Sequence, residues 1–83
     1  MSTTEPTITT DTARHVLWVF GRDGGFRPGT FTQKLLELLA YADEQNTSKI
    51  ASAYPVEAAA VRLAKYDEAG ITTLQAIAVG GEA

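Results

Sequence analysis

The sequence predicts an all-α domain, a compact bundle of four to five short helices, and three observations lead there. Between residues 31 and 66 apolar side chains recur three and four positions apart instead of alternating. Glycine and proline interrupt that pattern at 21–29, at Pro55 and at Gly70, where helices are expected to start or stop. The chain has 83 residues, 45% of them hydrophobic, and no cysteine, which suits one small core without disulfides.

Residues 1–10, MSTTEPTITT, read as a flexible tail, because threonine, serine and Pro6 offer little apolar surface to offset the entropy of ordering. The domain is expected over 11–79, with 80–83 a short flexible end. A first helix opens at Asp11 and Thr12, which suit an N-terminus, and stops at Gly21, a residue that tolerates the left-handed conformation after a helix. Its apolar run VLWVF also fits a buried strand paired with ITTLQAIAV at 71–79. Two strands alone make a marginal ribbon, so the helix is preferred.

The second helix is expected from Thr30, which has capping-box spacing with Gln33. At 100° per residue, Phe31, Leu35, Leu38, Leu39 and Ala42 fall within a stripe about 100° wide, with Leu36 on its flank. That stripe is expected to be buried, and Tyr41 falls on the polar side near Lys34 and Glu37. Residues 43–46 read as a helix end and 47–53 as a short helix. Pro55 suits the first turn of a fourth helix over 55–69. On it Val56, Ala59, Ala60, Leu63 and Tyr66 share one face, Arg62 and Lys65 lie opposite, and Val61 points away from the stripe. Gly70 suits the position after that helix, and Thr72 with Gln75 repeats the capping-box spacing ahead of a short fifth helix. Helix 1 is expected at the centre, with helices 2 and 4 across it.

A net charge of −3 disfavours nonspecific binding to a phosphate backbone. The one appreciably basic stretch is 13–34, where Arg14, Arg22, Arg27 and Lys34 outnumber Asp23. Nucleic-acid binding through this region is therefore the alternative reading. Within it GRDGGFRPG matches neither the dinucleotide fingerprint nor the P-loop spacing. The loop leads into a helix N-terminus, whose free N–H groups favour an anion that Arg22 and Arg27 could assist. Its glycines are equally explained by turning the chain.

Catalytic and metal chemistry find little support. His15 is the lone imidazole and has no ligand or acid-base partner at useful helical spacing. Ser48 and Ser52 lack the surroundings of a nucleophile. The acidic pairs Asp43-Glu44 and Asp67-Glu68 read as solvated helix ends. No cofactor, no catalytic residue and no metal site is expected, and no apolar run is long enough to span a bilayer. MSTTEPTITT lacks the marks of a signal peptide, so a cytoplasmic chain is expected. The residues left for function are those that a contact surface uses: Arg22, Phe26 and Arg27 in the loop, Tyr41 on helix 2 and Val61 on helix 4.

FGRDGGFRPGTFTQKLLELLAYAD and KIASAYPVEAAAVRLA together resemble small helical proteins encoded by bacteriophages of actinobacteria. The matching positions are Asp23, Gly24, Gly25, Pro28, Gly29, Thr30, Phe31, Tyr54 and Pro55, and the resemblance spans roughly residues 16–66. It implies a helix, a glycine-rich loop, an amphipathic helix, and an aromatic-proline step into an alanine-rich helix. It brings no activity or functional residue with it. The setting it implies is that of an accessory protein that binds a host protein, a phage protein or a second copy of itself.

Overall fold

The computed structural model describes residues 7–80 as five helices in one bundle: α1 Thr10–Val19, α2 Thr30–Tyr41, α3 Glu44–Ala51, α4 Pro55–Tyr66 and α5 Gly70–Ala78. Both VLWVF and 71–79 are helical apart from their last residues, which removes the strand-pair alternative. Residues 1–6 of the expected tail and 81–83 of the expected C-terminus lie outside the described residues.

Helix α1 begins where a hydroxyl can cap it. Thr9 Oγ1 accepts from the Thr12 N–H at 3.1 Å, and Asp11 sits in the first turn, where the helix dipole favours negative charge. Ile8, assigned to the tail from the sequence, packs against the core. Ala13, Val16 and Leu17, at helical spacing, are fully buried. Gly21, at φ 66°, ends the helix as expected.

Helix α2 starts with a different cap and buries a different face from those expected. Its N-cap is Gly29, in extended conformation, and the Thr30–Gln33 capping box does not form. Gln33 instead closes the first turn through its N–H on the Gly29 carbonyl at 2.8 Å, and its side-chain amide donates to Glu37 Oε2. Leu36 and Leu39 are fully buried and Ala42 nearly so, whereas Phe31 is 65% and Leu38 53% exposed. The buried direction is rotated from the expected stripe by roughly 60° at 100° per residue. Leucines at 35, 36, 38 and 39 make the helix apolar over more than one neighbour can cover, and contact with α4 and α1 selects the Leu36–Leu39 side.

Asp43 begins a helix instead of ending one: its Oδ1 accepts from the Asn46 N–H at 2.8 Å and caps α3. Extended backbone at Ala42, with ψ 146°, makes the break between α2 and α3. The first acidic pair therefore lies at a helix N-terminus, the favourable end of the dipole. Pro55 opens α4 as expected. That helix stops at Tyr66, three residues early, because Asp67 turns extended and its Oδ1 accepts from the Ala69 N–H at 2.8 Å.

Gly70 follows no helix as a left-handed cap; it is the buried first residue of α5. A Cβ added there would run into the Leu63 carbonyl of α4, so glycine is what lets the two backbones approach. Ala69 is the N-cap of α5 and the expected Thr72–Gln75 box is absent. The Gln75 side chain donates instead to the Asp23 carbonyl at 3.1 Å, tying α5 to the glycine-rich loop.

The hub of the bundle is α4, which packs against each of the other four helices; α1 touches α2, α4 and α5. Because α4 is surrounded, its buried residues are Ala58, Ala60 and Val61, and the face expected to be buried is only partly so, with Tyr66 61% exposed. Long cations tie the helices together. Lys65 Nζ donates to the Ala42 and Leu39 carbonyls at 2.7 and 3.2 Å, capping the end of α2, and Arg14 Nε donates to the Ala78 carbonyl at 2.9 Å, capping α5.

Candidate interaction surface

The loop after α1 is laid back along that helix by its own backbone. The Arg22 N–H donates to the Leu17 carbonyl at 2.9 Å and the Phe26 N–H to the Arg14 carbonyl at 3.0 Å. Gly24 has φ 92°, and a Cβ on Gly25 would collide with the backbone of Trp18. These two glycines therefore serve the close approach of loop to helix. The Arg27 guanidinium lies 5.7 Å from the centre of the Trp18 ring, a cation–π contact worth about 0.5–1 kcal/mol at an exposed site. Phe26 is exposed at the loop surface, as is Arg22. All four cations of the basic stretch are exposed; Arg14 also donates to the Ala78 carbonyl and Arg27 lies against Trp18, while Arg22 and Lys34 make no such contact among the described residues.

Val61 is a correction to the sequence reading. It is 1% exposed and belongs to the core, because α4 has neighbours on the side towards which Val61 points. Tyr41 is the opposite case, at 91% exposure. It sits at the far end of α2, about 16 Å along the helix from Thr30 at 1.5 Å per residue. The residues singled out from the sequence thus fall in three places: the loop, the end of α2, and the core.

The structure adds a feature that was not expected. Leu38, Tyr41 and Ala42 at the end of α2 face Asp43, Asn46, Lys49 and Ile50 of the α3 segment across an open groove of about 590 Å³. Its walls are apolar at Leu38, Ala42 and Ile50, and its rim carries both charge signs. Towards the start of α2, Phe31 meets Tyr54 with ring centroids 6.1 Å apart and planes tilted by 51°, within the range of favourable aromatic pairs. Phe31, Lys34, Leu38 and Tyr41 therefore form one exposed stripe on α2, with the groove beside its C-terminal half. Sequence reasoning missed Phe31 and Leu38 because they satisfied a core pattern. A signal was available in the width of the apolar arc, which exceeds what one packing partner covers.

Away from this face, Arg62 Nη2 pairs with Glu44 Oε2 and also reaches the Ser48 hydroxyl, linking α4 to α3. The hydrogen bond from Arg62 is the main reason the Glu44 carboxyl titrates below its ordinary value, with the charge of Arg62, the Ser48 hydrogen bond and Lys65 adding to it against some desolvation. His15 is half-buried on α1. Among the described residues no group of three or more histidine or acidic side chains could hold a metal ion, and no helix is long and apolar enough to cross a membrane.

The fold and this surface define a small all-α bundle with an aromatic-rich exposed helix face. No protein-family model, no curated protein and no solved structure matches the chain.

Proposed function

We propose that the chain is a non-catalytic binding protein that engages another protein through the outer face of α2 and the groove between α2 and α3. The observation that carries this reading is the exposure of Phe31, Leu38 and Tyr41 along one side of α2, at 65%, 53% and 91%. Large apolar side chains grouped on a small domain and rimmed by charge mark contact surfaces, and aromatic residues lead among those that dominate binding energy. A groove flanked by such residues suits a helical or extended protein segment. The resemblance to actinobacteriophage proteins makes a host or phage protein the natural partner and the cytoplasm the natural setting.

Retention from an actinobacterial lysate tests the reading. Immobilised wild-type chain and a Val79→Ser control, altered at an exposed apolar residue outside the groove, should retain a common protein that Leu38→Asp does not. Identical retention by all three overturns a host or phage partner at this face.

A further inference from the structure

The spacing of the exposed stripe on α2 says more about what it meets. Phe31, Lys34, Leu38 and Tyr41 follow one another at intervals of three, four and three, the seam of a two-helix coiled contact. We infer that a second copy of this chain occupies this face, its α2 running antiparallel across a two-fold axis near residue 36. This rests on the interaction reading of the same face and names its partner.

The charges on the stripe select that arrangement. In an antiparallel register centred on residue 36, Phe31 comes opposite Tyr41 of the second copy and Lys34 opposite its Leu38. The lysine stem then lies over leucine, and its ammonium reaches Glu37 of the second copy on the flank of the seam. Glu37 Oε2 already accepts from Gln33 at 3.1 Å, which leaves Oε1 for the lysine. Two-fold symmetry makes each contact twice. A parallel register would stack Lys34 on Lys34 in the seam, placing like charges together, and would put the two Glu37 side chains on opposite flanks. One cation and one anion that exchange places under a two-fold axis are a self-complementary pattern, and a partner of uniform charge does not match it.

The same register accounts for the groove. It brings the exposed Phe31 of the second copy to the mouth lined by Leu38, Tyr41 and Ile50, once at each end of the paired helices. Three large side chains at these exposures supply on the order of 400 Å² per copy, roughly 800 Å² in the pair, below the usual size of a stable interface. The dimer is therefore weak and concentration-dependent.

Sedimentation and light scattering over a range from low micromolar to near-millimolar chain test this. The wild-type mass should rise from 8.9 kDa towards twice that value. Lys34→Glu and Glu37→Lys, both at exposed positions, should each weaken self-association roughly tenfold or more by placing like charges together. The double variant should recover it, and an equimolar mixture of the two single variants should form mixed dimers, since both pairs are then of opposite sign. A wild-type chain that stays monomeric throughout, or single and double variants that all associate alike, overturns the inference. A monomer that still retains a Leu38-dependent protein from lysate removes the second copy and leaves the interaction reading standing. Absence of both self-association and Leu38-dependent retention removes the two together.

Discussion

Replacing Gly70 by alanine sets two physical effects of opposite sign against each other. Gly70 is the first residue of α5, and on helix propensity alone alanine is better by up to about 1 kcal/mol. The structure reverses the sign, because the added Cβ would overlap the Leu63 carbonyl oxygen, a backbone atom that cannot rotate away. Relieving the overlap moves the start of α5 off α4 and loosens the contacts of Leu74 and Ile77, both buried in the core. Overpacking costs about 1–3 kcal/mol, and overlap with a backbone atom puts this case at the upper end, about 3 kcal/mol, so the net loss expected after the helix term is about 2 kcal/mol. For a domain of this size that is a fall in Tm of about 10 °C. Urea unfolding followed by the fluorescence of Trp18, the single tryptophan, measures it. An unchanged or raised midpoint would refute the close packing of α5 on α4.

Other substitutions probe burial and charge. Val61→Ala should cost about 2 kcal/mol as a buried large-to-small change, whereas Tyr41→Ser at 91% exposure should stay within about 0.5 kcal/mol, both by urea titration. Thr47 is 2% exposed and its Oγ1 has no hydrogen-bond partner among the described residues, so Thr47→Val should stabilise the fold by about 1 kcal/mol in the same assay. Glu44 titrates below its ordinary value in the folded chain, so its contribution is present above the ordinary carboxylate range and is lost as pH falls through the lowered folded value. Glu44→Gln should therefore flatten the fall in stability on acidification, measured as urea midpoints across the acid range.

The number of helices and most of their starts were legible in the sequence because those features are local. Gly21 and Pro55 act through their own backbone conformations, and no distant residue alters what they do. Where two local signals lay one residue apart, the pattern could not choose: Gly29 and Thr30 both suit an N-cap, and the extended entry at Gly29 decides it. An aspartate near a break fits either side: by sequence Asp43 suits the tail of one helix, and in the structure it caps the next.

The rotation of α2 and the burial of Val61 were not legible for a different reason. Leu35, Leu36, Leu38 and Leu39 are chemically alike, and which of them are inside depends on where α4 and α1 lie. Val61 reads as unpartnered when α4 is given a single buried face, whereas α4 packs against each of the other four helices. Gly70 carries two possible roles, a left-handed cap or a point of backbone contact, and only the position of Leu63 distinguishes them. The candidate surface inherits these limits. Tyr41 could be found from its place among polar neighbours, while Phe31 and Leu38 are recognisable as surface residues only once the turn of the helix about its axis is known.

That turn of α2 decides whether the contact face exists, and thiol labelling measures it directly in a chain that has no cysteine of its own. Leu38→Cys and Leu39→Cys, compared at low chain concentration under native conditions, should differ sharply: the thiol at 38 reacting at nearly the rate of a free peptide, the thiol at 39 only as fast as the domain opens. Equal protection at both positions, or faster reaction at 39, would contradict the account and remove the exposed face on which the proposed interactions depend.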